Sequence, residues 1–128
     1  MTKSIYSNKS YNLSGKIDVP GDKSISHRAL IIGSLLTGKI KIKNLLESDD
    51  VIATANALKS LGININKKKK IWEVFGNGIG NLAGSNYRLD MGNSGTGSRL
   101  IMGLIAGSDV QATILGDESL SKRPMKRI

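Results

Sequence analysis

The 128 residues carry 19 Lys and Arg against 10 Asp and Glu, a net charge of +9, with 39% hydrophobic residues, one histidine and no cysteine. This balance excludes a disordered chain, a disulfide scaffold and a thiolate metal site, and a lone histidine argues against zinc. No apolar run approaches the roughly 20 residues of a membrane span, and the N-terminus has neither a secretory nor a mitochondrial leader pattern, so a cytoplasmic protein without metal or cofactor is expected.

Along the chain, "GKIDVP" (15–20) reads as a short strand ending at proline. "SISHRALIIGSLLTG" reads as a helix capped by Ser24 or Ser26, with Ile25, Ala29, Ile32 and Leu36 as its apolar stripe and Gly38 as its stop. "KIKIKNL" alternates lysine and isoleucine, the pattern of a half-buried strand. "SDDVIATANALKSLG" is a second helix, capped by Ser48, with Asp49 and Asp50 at its positive end and Gly62 as its stop. "INI" and "IWEVF" form a hairpin around Lys67 to Lys70, and residues 77–86 are loop. "YRLDM" is a strand, "MGNSGTGSRL" (91–100) opens as a glycine-rich loop, "SRLIMGLIAG" is a third helix and "VQATIL" a strand. "GDESLSKRPM" is a loop, after which Pro124 opens a fourth helix. Only five residues remain from there to Ile128, which reads as a fragment of a longer protein.

The order of elements repeats. Displaced by 71 residues, Gly21 falls on Gly92, Arg28 on Arg99, Glu47 on Glu118 and Ser48 on Ser119, and the two apolar helices superpose. The unit is βαβαββ, an α/β (α+β) class of fold, complete once over about 21–85 and partial over about 86–128.

The charge calls for an anionic partner: nucleic acid, a membrane surface or a phosphorylated small molecule. The lysine run is either a solvated turn or a nucleic-acid patch, and no aromatic residues interleave it to stack on bases. "GDKSISHR" and "GNSGTGSR" are equivalent under the repeat, and each joins a strand to a helix start, where free amides and the helix dipole favour an anion. Each ends in an arginine, the first adds Lys23, and the third loop brings Lys122 and Arg123 to a helix start. An arginine fork grips carboxylate or phosphate at two points, whereas lysine adds a mobile point charge. Taken singly, Gly92, Gly95 and Gly97 could make only a turn, and Arg28 and Arg99 could be surface charges. A Walker A reading fails because Ser98 stands where lysine is needed, and a dinucleotide fingerprint fails at Leu100. Ser26 and His27 are sequence neighbours on a helix and point apart, so a hydrolase is not supported, and His27 is left to the surface or to a place behind the site.

The segments "PGDKSISHRAL", "GNSGTGSRL" and "GDESLSKRPM", in this order and at these separations, resemble EPSP synthase, the 3-phosphoshikimate 1-carboxyvinyltransferase family, from about Leu13 to Ile128. The related transferase of UDP-N-acetylglucosamine shares the fold, but its signatures are absent. The resemblance implies two lobes of three βαβαββ units packed as an inside-out α/β barrel, of which residues 21–128 form part of the first lobe. Residues 1–20 would belong with the second lobe, outside this chain. It implies transfer of an enolpyruvyl group from phosphoenolpyruvate to the 5-hydroxyl of shikimate 3-phosphate, by addition and then elimination, in a monomeric enzyme with no nucleic-acid or membrane partner. Lys23 would touch both substrates, Ser24 and Arg28 would bind shikimate 3-phosphate, and Gly95 and Arg123 would bind phosphoenolpyruvate. The acid and base groups would lie outside this chain, so the fragment alone would be inactive. Leu100 departs from the proline of many members, and glycine rather than alanine at position 95 implies sensitivity to glyphosate. Two other readings stand beside this one: a nucleic-acid-binding module, and a stand-alone phosphate-binding domain.

Overall fold

A computed structural model describes residues 4–83 and 87–126. Its elements run α1 (Lys23–Leu35), β1 (Thr37–Lys43), α2 (Asp49–Ser60), β2 (Asn64–Lys68), β3 (Ile71–Asn77), β4 (Tyr87–Asp90), α3 (Gly95–Ala106), β5 (Ala112–Leu115) and α4 (Glu118–Ser121). Positions 84–86 of the expected loop, and Ile128, lie outside the described residues.

The β1, β2 and β3 strands form an antiparallel sheet in the order β1-β3-β2, with Thr37 opposite Asn77 and Asn64 opposite Phe75. The lysine run forms the turn of the β2–β3 hairpin, with Lys69 in the left-handed region at φ 56°. Glu73 on the central strand is buried and pairs with Lys39 of β1 and, at 3.7 Å, with Lys68 of β2. The second sheet pairs β4 and β5 in parallel, with Tyr87 opposite Ala112. Parallel strands need a crossover, and α3 supplies it. The alternation in β1 and the α2 limits are as expected, with Gly62 at φ 87° just past the α2 C-cap.

Six expectations are corrected. Residues 15–20 form no strand: Ile17 is 85% exposed, and the segment is met by Asn44, just past β1, whose Nδ2 donates to Val19 O at 3.3 Å. A strand needs a partner for its backbone, and this segment has none among the described residues. The α1 cap is Asp22, whose Oδ1 accepts from the Ile25 amide at 2.7 Å, while Ser26 turns inward and accepts from the Leu46 amide. The buried face of α1 is Ser26, His27, Leu30, Ile31, Gly33 and Ser34, so Ile25 and Ile32 are left 68% and 55% exposed, and the helix ends before Gly38, which lies in β1. The small residues face inward because α1 lies against β3 at close range: a Cβ on Gly76 would stand 2.1 Å from Leu36 O and 2.3 Å from Gly33 O.

The other two corrections concern the basic loops. α3 starts at Gly95, three residues before the expected start at Ser98, with Ser94 Oγ accepting from the Gly97 amide at 3.2 Å. Pro124 opens no helix among the described residues; α4 is a single turn capped by Asp117, whose Oδ1 accepts from the Leu120 amide at 2.7 Å. Ser48 does stand at the α2 N-cap, but its hydroxyl makes no capping bond.

The core is a continuous cluster that includes Leu30, Val51, Leu58, Leu61, Val74, Leu89, Met91 and Ile101. It cements α1, α2 and α3 to one another and to both sheets. No described helix is long and apolar enough to cross a membrane.

Candidate anion-binding site

The three long helices bring their N-terminal turns together. At the α1–α2 junction, Lys23 Nζ lies 3.0 Å from Asp50 Oδ2. One turn deeper, His27 Nδ1 meets Thr54 Oγ1 at 2.8 Å. The same threonine oxygen lies 2.6 Å from where a Cβ on Gly97 would stand, which ties the α2 opening to that of α3. Only glycine permits that approach, since a methyl there would also meet Ser94 Oγ at 2.6 Å and Met91 Cε at 2.9 Å.

The third basic loop joins from the other side. The Asp117 amide donates to Gly92 O at 2.9 Å, and Asn93 Nδ2 donates to Asp117 Oδ2 at 2.6 Å. Arg123 follows α4 at its C-terminal end rather than opening a helix, but its guanidinium reaches back: Nη2 donates to Asn93 Oδ1 and to Ser119 Oγ. A Cβ on Gly95 would stand 2.7 Å from Arg123 Nη1 and 3.5 Å from Arg99 Nη1. Gly95 therefore lays bare backbone beneath two guanidinium groups at a helix N-terminus, the arrangement that concentrates positive potential. Arg99 also donates to Pro124 O at 3.2 Å.

Electrostatics sharpen this geometry. The Asp117 carboxyl is held below its ordinary value first by the Asn93 hydrogen bond and then by the Leu120 amide, so it stays ionised beside Arg123. His27 is fully buried rather than on the surface. Burial lowers its pKa below the ordinary 6.5; Asp50 opposes the shift, and Lys23 and Arg28 add to it. The imidazole is neutral at pH 7, so the site gains no charge from it.

Of the residues singled out in the sequence, Gly95 and Arg123 are in contact, and Lys23 connects to them through α2. Ser24 is exposed on the first turn of α1, and Arg28 folds back to donate to Ser24 O at 3.0 Å. Lys122 leaves the cluster and pairs with Glu118. In the lysine run, Lys67 and Lys68, at the end of β2, are held by Glu47 and Glu73. Sequence reasoning missed Asp50, Thr54, Asn93 and Asp117. The signal for Asp117 was present: an aspartate three residues before Leu120 is a helix cap. Asn93 gave none, because its partners lie 24 and 30 residues away.

The chain can be set beside known proteins. The family model for EPSP synthase (3-phosphoshikimate 1-carboxyvinyltransferase) matches residues 7–128. Relatives with the name 3-phosphoshikimate 1-carboxyvinyltransferase include those of Zymomonas mobilis, 52% identical over 97% of this chain, and Rhodospirillum rubrum, 52% identical over 94% of it. In both cases the chain spans 28% of the relative's length. The solved EPSP synthase from Acinetobacter baumannii superposes with a TM-score of 0.82 at 39% identity, covering 88% of this chain and 26% of that one.

Proposed function

The chain belongs to the EPSP synthase family, and from that premise we propose that it is the N-terminal part of an enzyme joining two anionic metabolites at the gathered helix openings. The reaction transfers the enolpyruvyl group of phosphoenolpyruvate to the 5-hydroxyl of shikimate 3-phosphate and releases phosphate. The hydroxyl oxygen adds to the enol carbon while a proton enters the methylene carbon. The tetrahedral adduct then loses phosphate from the first carbon and a proton from the second. The leaving phosphate takes up negative charge as its bond to carbon breaks, so fixed cations assist that departure on this side of the site.

Each residue has a role suited to its chemistry. Lys23, half exposed on α1, reaches both substrates as a point charge, and an arriving anion competes with Asp50 for it. Ser24 and Arg28 bind shikimate 3-phosphate by hydroxyl and fork. Gly95 admits phosphoenolpyruvate to bare backbone, and Arg123, already held by Asn93, clamps its oxyanion. The observation that carries the reading is this meeting of Gly95 with the Arg123 guanidinium, 2.7 Å from an added Cβ, at the positive end of α3. The acid and base groups lie in parts of the enzyme outside this chain, and residues 1–20 pack with those parts. The enzyme works as a cytoplasmic monomer without nucleic acid or membrane. The paired state of Lys67 and Lys68 supports setting nucleic acid aside.

Phosphate release by the full-length protein, supplied with both substrates, tests the proposal. Arg123→Ala should lower kcat/KM by about a hundredfold or more, in the range for loss of one charged contact to a reacting group. Wild-type protein that releases no phosphate from this pair would overturn the assignment.

A further inference from the structure

Among the described residues, two buried side-chain atoms have no hydrogen-bond partner, His27 Nε2 and Ser48 Oγ. The histidine is the more telling. It is fully buried, makes one hydrogen bond, to Thr54, and leaves its other ring nitrogen unsatisfied. A buried polar ring with half its bonding capacity unmet stabilises a core less than an apolar side chain of like volume. Its value therefore lies in what the one bond fixes. Thr54 Oγ1 sits 3.4 Å from Asp50 O in its own helix, against His27 of α1, and 2.6 Å from where a Cβ on Gly97 of α3 would stand. One hydroxyl thus touches all three helices that open at the site.

We propose that His27 and Thr54 act together as positioning residues, setting the separation between the α1 opening that carries Lys23, Ser24 and Arg28 and the α3 opening that carries Gly95. The imidazole reaches across from α1 and holds the threonine hydroxyl in the one orientation that lets Gly97 close on it. Without the ring, the hydroxyl keeps only its long bond to Asp50 O, and the first turn of α3 loses its seat. The groups facing the ring are Lys23 and Arg28 from α1 and Asp50 from α2, with two cations against one anion, so the neutral ring is the form compatible with the site. This inference rests on the substrate assignment above for its kinetic consequence but not for its structural one.

The test uses the full-length protein and five variants. His27→Ala and Thr54→Val should each raise KM for both substrates by about five- to tenfold with kcat changed less than about twofold, and the double variant should be no worse than the worse single one, as expected for residues acting as a unit. His27→Asn, whose amide reaches the position of Nδ1, and Thr54→Ser, which keeps the hydroxyl, should recover most of the lost affinity. Amide hydrogen exchange at residues 95–97 should quicken in His27→Ala while Val74 in the sheet stays protected. Unchanged KM values, additive effects in the double variant, or exchange that quickens equally at Val74 would overturn the inference and leave the family reading intact. Wild-type protein inactive on both substrates would overturn that reading instead, while the exchange experiment would still decide whether His27 and Thr54 seat α3.

Discussion

Two glycines two residues apart illustrate how different the demands on a single position can be. At Gly97 an added methyl meets Thr54 Oγ1, Ser94 Oγ and Met91 Cε, all on packed residues with no room to yield. Gly97→Ala should cost about 1–3 kcal/mol of stability, the usual penalty for overpacking, measured as a lowered denaturation midpoint. At Gly95 the nearest atom is the far end of Arg123, which can swing aside. Gly95→Ala should therefore leave the stability unchanged or raise it by up to about 1 kcal/mol, through gain in helix propensity. It should also raise KM for phosphoenolpyruvate, because the displaced guanidinium is the proposed clamp. A large loss of stability at position 95, or none at 97, would contradict these contacts. His27 adds a pH signature. Its folded pKa lies below the ordinary 6.5, so below that pH the unfolded state binds more protons, and stability is lost as the pH falls through 6.5 toward the folded value. The loss approaches at most about 1.4 kcal/mol per pH unit and should be missing in His27→Asn, as urea midpoints between pH 7 and 5 would reveal.

At the scale of elements, the hairpin, β1 and α2 were legible because period and caps act within a few residues. The α1 face was not. Ile25, Ile32 and Leu36 look like a core stripe, but Ser26, His27 and Ser34 are the side chains that pack, each held by a specific bond or by close approach to a neighbouring element. The site divides in the same way. Lys23, Gly95 and Arg123 could be named from their loops, whereas Asn93 and Asp117, which hold Arg123 in place, act through contacts that no local pattern records. The segment at 15–20 is the informative failure. The parallel pairing of β4 with β5, displaced by 71 residues, would set residues 16–19 beside 41–44, and Val19 already meets Asn44 there. Its composition suits a strand, and what it lacks among the described residues is a ladder partner for its backbone. In the full-length protein the amides of Ile17 and Val19 should be protected from exchange, as ladder hydrogen bonds require. Free exchange at both would show that this segment is no part of a sheet.

At the scale of the molecule, the question is how much an open, one-sided site can hold. Lys23, Arg28, Arg99 and Arg123 surround the helix openings, but Lys23 is already paired with Asp50, and Arg123 stands beside an ionised Asp117. A charge-assisted hydrogen bond contributes about 1.5–3 kcal/mol, and association alone costs about 4 kcal/mol or more. A few such bonds, made from one face and open to water, leave about −4 kcal/mol at best, a Kd near 1 mM. Salt should weaken this further, because exposed charges are screened within about 8 Å at physiological ionic strength. Turnover demands more: both substrates held in reacting geometry, and an acid and a base within hydrogen-bond reach of them. Near these openings Asp22, Asp50 and Asp117 are already occupied as helix caps or as partners of cations. The 128-residue chain by itself should therefore bind shikimate 3-phosphate only in the millimolar range by calorimetry, lose that binding in high salt, and release no phosphate in the presence of phosphoenolpyruvate. Micromolar affinity, or measurable turnover from this chain alone, would mean that its own three helix openings make a complete active site.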